Sequence, residues 1–276
     1  MKKTFGVAGG GQRAAELVRL LKLDGYAVRA YGVPDAADTP EHALGADVVI
    51  LPVPLFDADG RLNCPGAALS PEETLSRFHT GQCVFAGMVP EEFANQARRK
   101  GVLLADYMKY EPMAIENAAA TADAALCLTV THTRETLTGK RCLVLGFGRI
   151  GKLLCHRLRG VGADVTAAAR SPDDRAWIRA LGMRALDASR LAGSLEPFSV
   201  VYNSIPAPVL DSVLLRELPP DCFLTDLASK PCADPDAIAR LGISYLWARG
   251  LPGRVVPRGA AAILRDTAYQ LLRELR

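Results

Sequence analysis

The stretch RCLVLGFGRIGKLLCHRL, beginning at Arg141, constrains the fold more than any other part of the chain. Residues 142 to 145 are an apolar run of the kind found in strands buried on both faces. Gly146, Gly148 and Gly151 follow as G-x-G-x-x-G, Arg149 begins a good helix pattern, and a second strand pattern starts at Asp164. That order is the βαβ unit in which this glycine spacing grips a dinucleotide. Gly146 permits the tight turn, Gly148 lets the backbone approach a pyrophosphate, and Gly151 lets helix and strand pack closely. The expected contacts are Gly146, Gly148, Arg149, Ile150 and Gly151. The same spacing also serves as a tight turn without a ligand, so the neighbouring strand tips must decide.

The rest of the chain repeats the pattern. Short runs rich in Val, Leu and Ile predict strands near Thr4 to Ala8, Tyr26 to Tyr31, Asp47 to Leu51, Cys83 to Ala86 and Val102 to Ala105, with helices at Gln12 to Leu23 and Glu91 to Lys100. The Gly- and Pro-rich segment Asp57 to Ser70 reads as a surface loop. Met113 to His132, rich in Ala and free of Gly and Pro, predicts a long helix linking two domains. A second series follows, with strands at Arg141 to Leu145, Asp164 to Ala169, Ser199 to Tyr202, Phe223 to Leu227 and Ser244 to Trp247. The expected fold is α/β: two Rossmann-like doubly wound domains with parallel sheets, joined by a hinge helix, the amphipathic C-terminal helix packing back on the first. The expected division is 1–112 plus 257–276 for a substrate-side domain and 113–256 for a nucleotide-binding domain.

The tip of the strand after the fingerprint discriminates between coenzymes. An NAD site usually offers a carboxylate there; this chain has Arg170 and then Ser171, which suit the extra phosphate of NADP. Arg175 is a possible second cation, although Asp173 and Asp174 beside it also fit a solvated helix start. Three loops follow successive strands of the second series. They carry Asn203, Ser204, Ile205 and Pro206, expected near the ribose and nicotinamide; Asp226, Ser229 and Lys230; and Gly250, Gly253 and Arg254. At the amino terminus, Gly9, Gly10 and Gly11 precede a helix carrying Arg13, a combination suited to a carboxylate that one domain could present to a nicotinamide held by the other. A structural turn with a surface arginine explains it equally. Lys109, Glu111, Glu116 and Asn117 flank the start of the long helix, where Lys109 or Asn117 could reach substrate.

Composition removes other classes. With 49% hydrophobic and 23% charged residues the chain is globular, and a formal charge of +3 argues for neither nucleic acid nor membrane as a partner. No secretory leader or membrane span is expected, which suits a soluble cytoplasmic protein. Seven scattered Cys, with no metal-ligand spacing, read mostly as small apolar residues. The four His stop at His156, whereas a 2-hydroxy-acid dehydrogenase normally carries its acid-base His late in the chain. That chemistry is disfavoured.

Taken in order, GGGQR, ILPVP, GKRCLVLGFGRIG, AARS, NSIPAPVL, DLASKP and LPGRVVPRGAA make a chain that resembles the family of dipicolinate synthase A subunits along its full length. Where members often have two glycines after the proline of the DLAS segment, this chain has Cys232 and Ala233. The resemblance implies NADP-linked oxidation of dihydrodipicolinate to dipicolinate in the mother cell of a spore former, beside a flavoprotein-like second subunit. Loss of a hydride and a proton from a dihydropyridine gains aromaticity, so orientation, a grip on two carboxylates and a modest base suffice. Gly10, Gly11, Arg13, Asn117 and Arg254 are then candidate substrate contacts, and Lys109, Asp226 and Lys230 candidate catalytic groups. Two other readings stay open, an NADP-dependent dehydrogenase of another small acid, related in fold to alanine dehydrogenase, and an NADP-binding protein without catalysis of its own. Homo-oligomerisation stays open as well.

Overall fold

The computed structural model describes residues 3 to 275. The chain divides into two compact units, one running up to Asn117 and resuming at Val256, the other spanning Ala118–Val255.

In the first unit β1 (Thr4–Ala8), α1 (Gly11–Leu23), β2 (Ala27–Tyr31), α2 (Pro40–Leu44) and β3 (Val48–Ile50) lead to α3 (Pro71–Ser76), β4 (Cys83–Ala86), α4 (Glu91–Arg99) and β5 (Leu103–Asp106). A 3-10 turn, Tyr107–Lys109, then precedes α5 (Glu111–Thr133). The strands form one parallel sheet in the order β2-β1-β3-β4-β5. The short helices α2 and α3, which apolar periodicity did not disclose, are set by local chemistry. Thr39 and Ser70 cap them, each is followed at once by proline, and Ser70 forms a reciprocal capping box with Glu73. The segment Asp57 to Ser70 is only partly a surface loop: Leu62 and Cys64 are buried, and the Cys64 Sγ lies against the carbonyl of Tyr31.

In the second unit β6 (Arg141–Leu145), α6 (Arg149–Gly160), β7 (Asp164–Ala169), α7 (Pro172–Ala180), β8 (Arg184–Asp187) and β9 (Val200–Asn203) are followed by α8 (Ser212–Arg216), β10 (Phe223–Asp226), α9 (Pro235–Leu241), β11 (Ser244–Trp247) and α10 (Leu251–Val255). Its six strands are also all parallel, in the order β11-β10-β9-β6-β7-β8. The sequence discloses five of them. The sixth, β8, is a four-residue edge strand, RALD, charged at both ends and therefore without the apolar run that marks its neighbours. The order reverses at β6, so the tips of β6 and β9 border the switch point where ligands of open α/β sheets collect.

The last helix, α11 (Pro257–Glu274), returns to the first unit. Its Ala261, Leu264, Ala268 and Leu271 share one core with Phe5, Val7, Leu17 and Leu21 of β1 and α1. No helix among the described residues is long and apolar enough to cross a membrane.

Candidate functional site

In the second unit, β6 ends at Leu145 and the chain turns through Gly146 with φ +97°, a left-handed conformation that glycine tolerates. A Cβ on Gly146 would stand 2.5 Å from Ser204 Oγ, and one on Gly151 would stand 2.1 Å from the Gly146 carbonyl oxygen. These two glycines are therefore required by packing. Gly148 is different: a Cβ there would meet nothing within 4 Å. It sits at the N-cap of α6, where no side chain caps the helix. An uncapped 12-residue helix approached by bare glycine backbone is the cradle a pyrophosphate requires.

At the tip of β7 the Arg170 side chain is exposed, whereas Ser171 is the cap of α7, its Oγ accepting from the N–H of Asp173 at 3.2 Å. Arg175 is not a spare cation. It donates to the Ala169 carbonyl at 3.1 Å and pairs with Asp187 of β8 at 3.3 Å. Asp187 is held below the usual carboxylate range, first by the Ser189 N–H and also by the Arg175 charge.

The tips of β9, β10 and β11 are tied by one buried network that corrects two expectations. Asp226 has no exposed surface. Its Oδ1 accepts from Asn203 Nδ2 at 2.9 Å and from the Ala228 N–H at 3.1 Å; its Oδ2 accepts from the Cys232 N–H at 2.6 Å and the Tyr245 hydroxyl at 3.3 Å. A carboxyl with four donors and no open face cannot take a proton from substrate, so Asp226 anchors loops and is not a catalytic base. Asn203 is likewise buried, its amide spent on Asp226 and on both backbone groups of Ile205. It shapes the turn, which leaves Ile205 half-buried and Pro206 exposed, but its side chain does not reach a ligand. Ser204 Oγ donates to the Leu145 carbonyl at 2.9 Å and so ties that turn to the glycine loop. Cys232 and Ala233 are buried, and the Cys232 carbonyl accepts the N–H groups of Val209 and Leu210. Trp247 Nε1 donates to the Ala228 carbonyl at 2.9 Å. Neither Tyr245 nor Trp247 stands out in the sequence; their i, i+2 spacing, which puts both on one face of β11, is the available signal. Lys230 and Arg254 are exposed, with Arg254 Nη1 3.5 Å from the Arg249 carbonyl.

Two histidines lie in this unit. His132 stacks on Phe223 with ring centroids 4.2 Å apart and its Nε2 lies 3.2 Å from Ser244 Oγ, while His156 is exposed on α6.

In the first unit, the turn Gly9–Gly11 has positive φ at all three residues and leads into α1, which also lacks a side-chain cap. The carbonyl of Asn63 packs so closely on Gly9 that a Cβ there would stand 2.7 Å away. Arg13, half-buried, lines a narrow crevice with Gly9, Gly10, Leu51 and Pro52. The buried Tyr107 hydroxyl donates to the Leu51 carbonyl at 3.1 Å. Burial pushes this phenol up to about 12 against the opposing pull of the neighbouring Arg13. Lys109 is exposed at the end of the 3-10 turn, and Asn117 is half-buried on α5. Among the described residues no group of three or more His, Cys, Asp or Glu is arranged to hold a metal ion.

Comparison with known proteins adds the lineage. A family described as the N-terminal domain of the dipicolinate synthase A subunit matches residues 4–108. One described as the D-isomer specific 2-hydroxyacid dehydrogenase NAD binding domain matches residues 108–239. The dipicolinate synthase A subunit of Bacillus subtilis (strain 168) is 31% identical over 239 residues, which cover 83% of this chain and 78% of that protein. The chain belongs to the family of dipicolinate synthase A subunits. The crystal structure of the family member from Bacillus halodurans matches with a TM-score of 0.84 and 29% identity, covering 98% of this chain and 97% of that one. That of the Bacillus subtilis dipicolinate synthase A chain matches with a TM-score of 0.82 and 26% identity over 99% and 97%. The residues matched to the dehydrogenase NAD binding domain include the glycine turn at Gly146–Gly151, and the sequence has no His beyond His156.

Proposed function

We propose that this chain oxidises dihydrodipicolinate to dipicolinate with NADP, as the A subunit of a dipicolinate synthase in a spore-forming cell. The observation that carries the reading is the extended likeness to the Bacillus subtilis dipicolinate synthase A subunit, together with the uncapped glycine turn at α6. When bound, NADP supplies the hydride acceptor. Gly146, Gly148, Arg149, Ile150 and Gly151 would hold its pyrophosphate by backbone N–H groups, and exposed Arg170 would face the 2'-phosphate. Ser204, Ile205 and Pro206 shape the turn beside that loop.

The reaction removes one hydride and one proton from the dihydropyridine ring and leaves an aromatic dicarboxylate. Arg13 with Gly10 and Gly11 is the seat for a substrate carboxylate. With Asp226 enclosed, the proton released from the ring passes to water, and exposed Lys109 and half-buried Asn117 are polar contacts.

The test supplies dihydrodipicolinate with NADP or NAD to the purified chain, alone and mixed with the family's second subunit, and follows the absorbance of the reduced nicotinamide. Reduction that prefers NADP and yields dipicolinate is expected. Absence of reduced nicotinamide in both preparations refutes the proposal. Activity only in the mixture, unaltered by Gly148→Ala or Arg13→Ala, would make this chain a scaffold.

A further inference from the structure

Beyond the end of β4 the chain is held from both sides. The Gly87 N–H donates to the Pro52 carbonyl at 3.2 Å, and the Gly87 carbonyl accepts the N–H of Leu55 at 2.8 Å, which binds it to the segment leaving β3. From the other side the Asp106 carboxyl, at the end of β5, accepts the N–H groups of Met88 at 3.2 Å, Val89 at 3.0 Å and Met108 at 2.9 Å. Gly87 is packed so tightly that a Cβ there would stand 2.6 Å from Val53 and 2.8 Å from the Tyr107 ring. Between these ties Met88 takes φ +56°, a left-handed conformation that glycine adopts freely and methionine does not. Burial offers no compensation, because Met88 is 60% exposed. A glycine at this position would make the same backbone bonds without the strain, so the fold does not account for the thioether. Strain over-determined by its surroundings at a strand tip points to a contact outside the fold.

The place of Met88 narrows that contact. In the sheet order β2-β1-β3-β4-β5 the direction reverses at β1 and β3, and ligands of open α/β sheets collect beyond the carboxyl ends of the strands there. The Gly9–Gly11 turn and Arg13 occupy that point together with Leu51 and Pro52. The next strand is β4, and at about 4.8 Å per strand its tip lies about 10 Å from that of β1. A small ring with one carboxylate at the turn reaches across that interval.

We infer that Met88 recognises the ring of the proposed substrate: its thioether packs against the pyridine whose carboxylate the Gly9–Gly11 turn and Arg13 hold. Sulfur beside an aromatic ring is a favourable and adaptable apolar contact. This rests on the proposed role of Arg13 as a carboxylate seat.

The experiment compares Met88→Gly, Met88→Leu and Arg13→Ala in the full chain. Dipicolinate is titrated calorimetrically in the presence of NADP, NADP is titrated separately, and thermal unfolding is recorded for each variant. Met88→Gly is expected to melt no lower than the parent, since it relieves the left-handed strain, yet to weaken dipicolinate about five-fold with the NADP dissociation constant unchanged. Met88→Leu, which restores the apolar bulk, is expected to bind dipicolinate within about two-fold of the parent. Dipicolinate binding unchanged in Met88→Gly but weakened in Arg13→Ala overturns the ring contact and leaves the seat standing. Binding unchanged in both removes the seat itself. Equal losses of dipicolinate and NADP in Met88→Gly, or a loss in Met88→Leu as large as in Met88→Gly, overturn the inference. Should Met88→Gly fail to fold, Met88→Asn also accepts a left-handed backbone and removes the thioether, and the same selective loss of dipicolinate is expected; no loss overturns the inference.

Discussion

Asp226→Asn separates an anchoring carboxyl from a reacting one. Each oxygen of Asp226 faces two donors, Asn203 Nδ2 and the Ala228 N–H on one side, the Cys232 N–H and the Tyr245 hydroxyl on the other. An amide placed there must turn its NH2 towards one of these pairs. The Tyr245 side is the less costly, since a hydroxyl can rotate to accept, and the Cys232 N–H, now 2.6 Å from its oxygen, is then stranded. An orphaned buried donor costs about 1 to 3 kcal/mol, and the two retained bonds lose about 1 kcal/mol each as they change from charged to neutral acceptors. The sum is roughly 3 to 5 kcal/mol, which at roughly 3 °C per kcal/mol for a unit of this size lowers its melting point by about 10 °C or more. Thermal unfolding followed by circular dichroism measures it. A variant that melts within about 2 °C of the parent yet has lost hydride transfer would refute the anchor and restore Asp226 as a participant in the reaction.

Three further outcomes follow from the same geometry. Gly148→Ala is expected to leave stability within about 0.5 kcal/mol, because the new methyl enters open space, while weakening NADP at least ten-fold by calorimetry; Gly151→Ala, whose methyl meets the Gly146 carbonyl, is expected to cost about 1 to 3 kcal/mol in urea unfolding. Arg170→Asp is expected to reverse the coenzyme preference, read as the ratio of NADP to NAD dissociation constants, and an unchanged ratio would remove Arg170 from the 2'-phosphate site. Of the seven free thiols only Cys127 is exposed, so alkylation of the native chain near pH 8 is expected to label one residue by mass spectrometry. Burial pushes Cys64 up to about 11 and Cys142, Cys155 and Cys222 up to about 12 from an ordinary 9.0. These thiols ionise first in the unfolded chain, so their contribution to stability is complete below pH 9 and is lost between pH 9 and 12. Denaturant midpoints that stay level across that window would contradict the burial.

Legibility in the sequence followed the strength of local signals. Strands buried on both faces, such as TFGVA, CVFA and RCLVL, announce themselves by composition, and the glycine fingerprint announces the turn between β6 and α6. Edge strand RALD does not, because solvent on one side removes the pressure for apolar residues. Site chemistry was harder to read for a different reason. Asp226, Asn203 and Arg175 are polar residues at or beside strand tips, which is also where ligand-binding groups sit, and a sequence cannot tell a donor aimed at a ligand from one aimed at the next loop. Only the hydrogen-bond partners separate them: Asp226, Asn203 and Arg175 are spent on the protein, whereas Arg170, Lys230 and Gly148 face outward. Tyr107 was missed because its partner, the Leu51 carbonyl, is 56 residues away in the chain.

The discontinuity of the first unit bears on how the polypeptide matures. Phe5, Val7, Leu17 and Leu21 leave a ribosome before the second unit, but the Ala261, Leu264, Ala268 and Leu271 stripe that completes their core is made after it. The uninterrupted segment Ala118–Val255 can condense during synthesis, while the sheet of the first unit must wait with an uncovered apolar flank for the eighteen-residue helix α11. Loss of this helix would therefore harm the sheet of the first unit more than the segment Ala118–Val255.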